Sequence, residues 1–149
     1  MDADMSPEMA HQVLEMLTGG GSMDNINTSL ALRLIPLAQD LGKEELIERL
    51  LEHATKVARN EEERGWARFE ALKVMEAGLD SFVRLAEEAE SIEQAQALTA
   101  AVHHYVALLY LAEARLDEAR ATAQHALRVR QTANDKQGLS YGMALLMTI

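Results

Sequence analysis

From Asn27 onward, apolar residues recur along this chain at the three- and four-residue intervals of an amphipathic helix. Leu30, Leu34, Leu37 and Leu41 form the first stripe, and Gly42 closes it. Residues 43–59 follow with Leu46, Ile47, Leu50, Leu51, Ala54 and Val57 on one face. Acids come early in that segment and Lys56 and Arg59 late, as the helix dipole favours. The two segments predict a helical hairpin. Residues 61–77 and 79–89, hinged at Gly78, predict a second pair; residues 92–113 and 116–132 predict a third. A last helix is expected from near Asp135 to the end, giving seven helices over residues 27–149.

The pairs also correspond residue by residue. His53-Ala54-Thr55-Lys56-Val57 is matched by His125-Ala126-Leu127-Arg128-Val129, an offset of 72 residues. The start of the following helix repeats as well, Arg64-Gly65-Trp66-Ala67 against Gln137-Gly138-Leu139-Ser140. Self-similar helical hairpins are the signature of stacked repeats, in which each unit covers the apolar face of its neighbour.

These residues resemble the tetratricopeptide repeat, a helix-turn-helix unit with a small residue and an aromatic on its first helix and alanines on its second. Ala107, Tyr110, Ala119, Ala123 and Ala126 carry the likeness best. Asn134-Asp135-Lys136-Gln137-Gly138 is similar to the Gly-Asp-x-x-Gly entry of longer-period repeats in bacterial signalling and regulatory proteins. The likeness spans residues 27–149. Repeat one has Ile35 where a small residue is usual, and repeat two has Glu87 and Glu90 where packing residues fall, which predicts a short or displaced second helix. The resemblance implies an all-α, right-handed solenoid of antiparallel helix pairs that acts as an adaptor or scaffold in the cytoplasm. It also implies a concave groove lined by the first helices. Leu32, Arg33 and Pro36, then Arg68, Phe69 and Leu72, then His104, Tyr105 and Leu108, and finally Tyr141 and Leu145 are the groove residues so implied.

The residues before this region raise a separate question. Ser6 is a good N-cap, Pro7 suits a first helical position, and Gly19 ends a short helix. Gly19-Gly20-Gly21-Ser22 then has the composition of a flexible linker ahead of Met23. Two readings stand. Residues 1–18 are a partner peptide tethered by an engineered linker 19–22 to a domain over 23–149, or the first helix is simply part of the fold. As a ligand helix, the segment would offer Met9, Val13, Leu14, Met16 and Leu17, with Asp2, Asp4, Glu8 and Glu15 to meet Arg33 and Arg68.

Composition narrows the function. The formal charge is −10, with 10 acids against 5 bases in residues 1–60, 9 against 4 in 61–90, and 5 against 5 beyond. Phosphate backbones would repel such a chain, so nucleic acid is not the expected partner. There is no cysteine, which removes thiolate chemistry, disulfides and cysteine-ligated metals. No apolar stretch approaches the length of a membrane span. His103 and His104 are adjacent and point about 100° apart on a helix, so they cannot share a metal, and neither a His-x-x-x-His pair nor a repeated Glu-x-x-His motif supplies a ready zinc or di-iron site. The acidic runs at Glu61–Glu63 and around Glu87 to Glu90 read as helix-end charges, and neither a nucleophile elbow nor a phosphate loop is present. The expectation is a non-enzymatic, cofactor-free and metal-free module that binds a short helical segment of another protein. The alternative is a homo-oligomeric scaffold, such as a homodimer, or a fragment of a larger regulatory protein, with Leu145, Leu146 and Ile149 exposed.

Overall fold

The computed structural model describes residues 6–149, and among them every regular element is an α-helix. The helices are α1 (Pro7–Thr18), α2 (Thr28–Asp40), α3 (Glu44–Lys56), α4 (Glu61–Val74), α5 (Leu79–Glu90), α6 (Gln96–Ala112), α7 (Leu116–Thr132) and α8 (Lys136–Thr148). The seven helices expected over residues 27–149 are thus present, and the class is all-α. No helix among the described residues is long and apolar enough to cross a membrane.

Helix ends account for the differences from the expected boundaries. Five helices close in a Schellman motif, where two amides beyond the helix turn back onto its last carbonyls. At α1 the bonds run from Gly20 N to Leu17 O and from Gly21 N to Met16 O. Lys43 N to Ala38 O, Ala77 N to Leu72 O, Arg115 N to Tyr110 O and Asp135 N to Arg130 O complete the equivalent loops after α2, α4, α6 and α7. Each needs one residue at positive φ, and these are Gly20, Gly42, Glu76, Ala114 and Asn134. Helix α4 therefore stops at Val74, three residues before the expected end, although no glycine marks the place. Helix α6 starts at Gln96, not at residue 92, because Gln94 has a φ of 62°.

The chain forms two compact units, one up to Ala71 and one from Leu72. In the first, α1 packs on α2 and α2 on α3. Leu34, Ile35, Leu50 and Ala54 form its centre. Thr28 is buried there and donates its hydroxyl to the Ala54 carbonyl at 2.8 Å, so the start of α2 is tied to the end of α3. The tether expectation meets a definite geometry here. Leu14 and Leu17 of α1 are fully buried, and Arg49 of α3 donates to the Leu17 carbonyl at 3.2 Å. Gly19 to Gly21 form a helix stop with paired amides, and a Cβ at Gly21 would fall 2.7 Å from the Met16 carbonyl oxygen. Met1 to Met5, with Asp2 and Asp4, lie outside the described residues.

In the second unit α5 packs on α6, α6 on α7 and α7 on α8. Helix α5 has 12 residues against 17 in α7. It turns Phe82, Leu85, Ala86 and Ala89 inward and leaves Glu87 and Glu90 outside. Small residues set the approach of the later helices. Ala119, Ala123 and Ala126 are buried on α7, and Ala107, Ala123 and Leu145 join α6, α7 and α8 in one cluster. Asp135 caps α8 by accepting from Gly138 N at 2.9 Å. A Cβ on Gly138 would meet that same carboxylate at 2.2 Å and Arg130 Nε at 2.8 Å, which is why glycine is needed four residues after Asn134.

Candidate functional site

The expected groove residues divide between the two units. In the first unit, Leu32 and Arg33 line a cavity of about 340 Å³ together with Thr28, Ser29, Glu62, Glu63 and Trp66. The walls come from the start of α2 and of α4. Helical spacing places Ser29, Leu32 and Arg33 on one side of α2, while Ala31, Leu34 and Ile35 face the core. Pro36 lies one turn further and is exposed. Lacking an N–H, it leaves the Leu32 carbonyl without its usual helical donor.

On α4, Asn60 accepts from Glu63 N at 2.8 Å and so begins the helix. Glu63 in turn accepts from the Arg59 amide and from Arg59 Nη2, both at 2.8 Å. Hydrogen bonding to Arg59 holds the Glu63 carboxyl below the usual carboxylate range, against a smaller opposing effect of burial. The Arg59 pairing thus favours the carboxylate form of Glu63 on this wall. Trp66 tilts against Phe69, with ring centroids 6.1 Å apart. The volume is at the low end of the ~300–1,000 Å³ typical of ligand pockets, room for one or two side chains.

Phe69 itself does not face the groove as expected. It is 4% exposed and supports Trp66 from inside. Its neighbour Arg68 is exposed. An aromatic and an arginine both fit a groove by residue type, and residue type alone does not give the helix phase that turns Phe69 inward. Trp66, Glu62 and Glu63 were missed as wall residues, although the lone tryptophan beside a helix start was a usable signal.

In the second unit, Leu145 is also a correction. It is 6% exposed and packs with Ala107 and Ala123, so it belongs to the core. Leu72 is half-buried, Leu108 and Tyr141 are exposed, and Tyr105 lies tilted against buried Phe82 with ring centroids 4.7 Å apart. His104 accepts at Nδ1 from Arg130 Nη1, 3.0 Å away. Burial, and then the charge of Arg130, push His104 below the usual histidine range. Its neighbour His103 points elsewhere, toward α5 and α7. Burial outweighs the other influences on it and holds it below that range too.

No family model, curated protein or solved structure matches this chain.

The candidate ligand helix presents two faces. Leu14 and Leu17 are buried in the first unit and Val13 is half-buried, whereas Met9 and Met16 are 54% and 50% exposed. The segment is seated along α2 and beside α3, and the Leu32–Trp66 cavity is lined by none of its residues.

Proposed function

We propose that the chain is a protein-interaction module, a tetratricopeptide-like right-handed solenoid of antiparallel helix pairs, acting in the cytoplasm to hold a short helical segment of another protein. The observation that carries this reading is the cavity between the starts of α2 and α4. Its apolar floor, Leu32 and Trp66, is bordered by the aliphatic stem of Arg33 and by carboxylates on one rim. Aromatic and arginine side chains around a small recess are the composition of binding hot spots. The occupant is an amphipathic helix that inserts one apolar anchor and carries basic residues beside it to meet Glu62. The helix-in-groove mode requires no more than this.

Panning a displayed library of short helical peptides against the full chain tests the reading, with the emission of Trp66, the sole tryptophan, as the binding signal. Selected peptides are expected to share an apolar anchor and basic flanks. Leu32→Asp should weaken them by about tenfold or more, as loss of a central anchor does. Peptides indifferent to Leu32→Asp and silent in Trp66 emission would refute the assignment.

A homodimeric scaffold is the second reading, favoured by α8, which exposes Tyr141, Met143 and Met147. Light scattering over a dilution series separates the two, since only self-association makes the mass depend on concentration.

A further inference from the structure

Three side chains from three consecutive helices of the second unit converge at one point. Glu90 ends α5, His103 lies two turns into α6, and His125 lies midway along α7. One ligand atom from each falls within 4.8 Å of the others. The Glu90 carboxylate is hydrogen-bonded to His125 Nε2, and the same oxygen is 3.4 Å from His103 Nε2. The two imidazoles meet edge to face with centroids 4.6 Å apart.

The tautomer of His103 is settled by its other nitrogen. Nδ1 lies 2.8 Å from the Thr99 carbonyl oxygen, which can only accept, so Nδ1 carries the proton. In the neutral ring Nε2 then presents a lone pair toward a carboxylate oxygen that also presents lone pairs. A proton on His125 can satisfy Glu90, but it does not reach His103. A backbone carbonyl fixing the far nitrogen of an imidazole is also the usual outer support of a metal-bound histidine.

We infer that Glu90, His103 and His125 form a binding site for a divalent transition-metal cation of the zinc type, with His103 Nε2, His125 Nε2 and a Glu90 oxygen as ligands. Two imidazoles and a carboxylate suit zinc and leave a coordination position for water. That position has an outlet, because Glu90 and His125 border a recess of about 440 Å³ with Gln94, Gln96 and Thr99. With ligands from α5, α6 and α7, a bound ion would cross-tie the three helices and stabilise the folded state alone. Residue spacing along one helix could not disclose the set, since no two of its members share a helix. The site is independent of the peptide-binding cavity, which belongs to the other unit.

The test is titration of the metal-stripped full chain with Zn²⁺ against a chromophoric chelator, followed by Co²⁺ as a spectroscopic substitute. The expected result is one ion per chain, a Co²⁺ spectrum with visible ligand-field bands, and a rise in melting temperature with added Zn²⁺. Loss of a supporting residue alone typically costs 10- to 100-fold in affinity, so Glu90→Gln and His125→Gln should each weaken binding by about tenfold or more. Both sites of change are solvent-accessible, and circular dichroism of each variant confirms that it remains folded. His11→Gln, on the exposed side of α1, should leave affinity unchanged. Absence of uptake by the wild-type chain, or uptake that survives both Glu90→Gln and His125→Gln, would overturn the assignment.

Discussion

Ala114 has a φ of 59° and Glu76 one of 52°, both at the positions where two other helices of this protein use glycine. A side chain there places Cβ against the following carbonyl, at a cost of about 1–2 kcal/mol. Ala114→Gly and Glu76→Gly are therefore expected to stabilise the protein, each by about 1 kcal/mol less the added freedom of the unfolded chain. Chemical denaturation measures this directly, and a lowered midpoint in both variants would contradict the Schellman assignment. Gly138→Ala should act in the opposite direction. Its Cβ would collide with the Asp135 carboxylate, and loss of that cap costs about 1 kcal/mol. Such positions show how far the sequence could be read. Gly42 announced its turn by composition, whereas Glu76 and Ala114 adopt the same turn with residues that ordinarily continue a helix. Nothing in their identity marked them, because surrounding packing decided the conformation.

At the scale of elements, the last helix was legible, but the direction in which it turns Leu145 was not. Leu145 recurs at the position of Leu72 in the internal repeat, and the resemblance placed both in a groove; α8 instead turns Leu145 onto Ala107 and Ala123. Leu145→Ala should cost about 2 kcal/mol, the lower end for a buried leucine, because its partners are themselves small. A groove residue would lose peptide affinity with little change in stability. The α6–α7 pair carries a pH dependence as well. His104 and His103 are held below the ordinary value of 6.5 in the fold. The unfolded chain therefore binds protons first as pH falls. Stability should be level above about pH 6.5 and decline below it, until the folded groups themselves titrate. His104→Gln should make that decline shallower in melting curves; an unchanged slope would move the effect to other groups. The helices were legible because their periodicity is local. The convergence of Glu90, His103 and His125 was not, because it depends on how three separate helices are rotated against each other.

For the whole molecule, charge is the feature that bears on partners. The residues up to Ala71 hold 14 acids against 7 bases, and those beyond hold 10 against 7. The unit with the Leu32–Trp66 cavity thus carries most of the negative excess, which steers basic segments toward it. Added salt should slow association of a selected peptide and leave dissociation nearly unchanged, since screening acts on the approach more than on the docked anchor. The most direct test of the account maps a selected peptide onto the isotope-labelled chain by amide chemical shifts. Saturable changes are expected at Ser29, Leu32, Arg33, Glu62 and the Trp66 indole, with the midpoint moved about tenfold or more to higher peptide concentration by Leu32→Asp. Changes confined to Tyr141, Met143 and Met147 of α8, or no saturable change at the α2–α4 cavity, would contradict it.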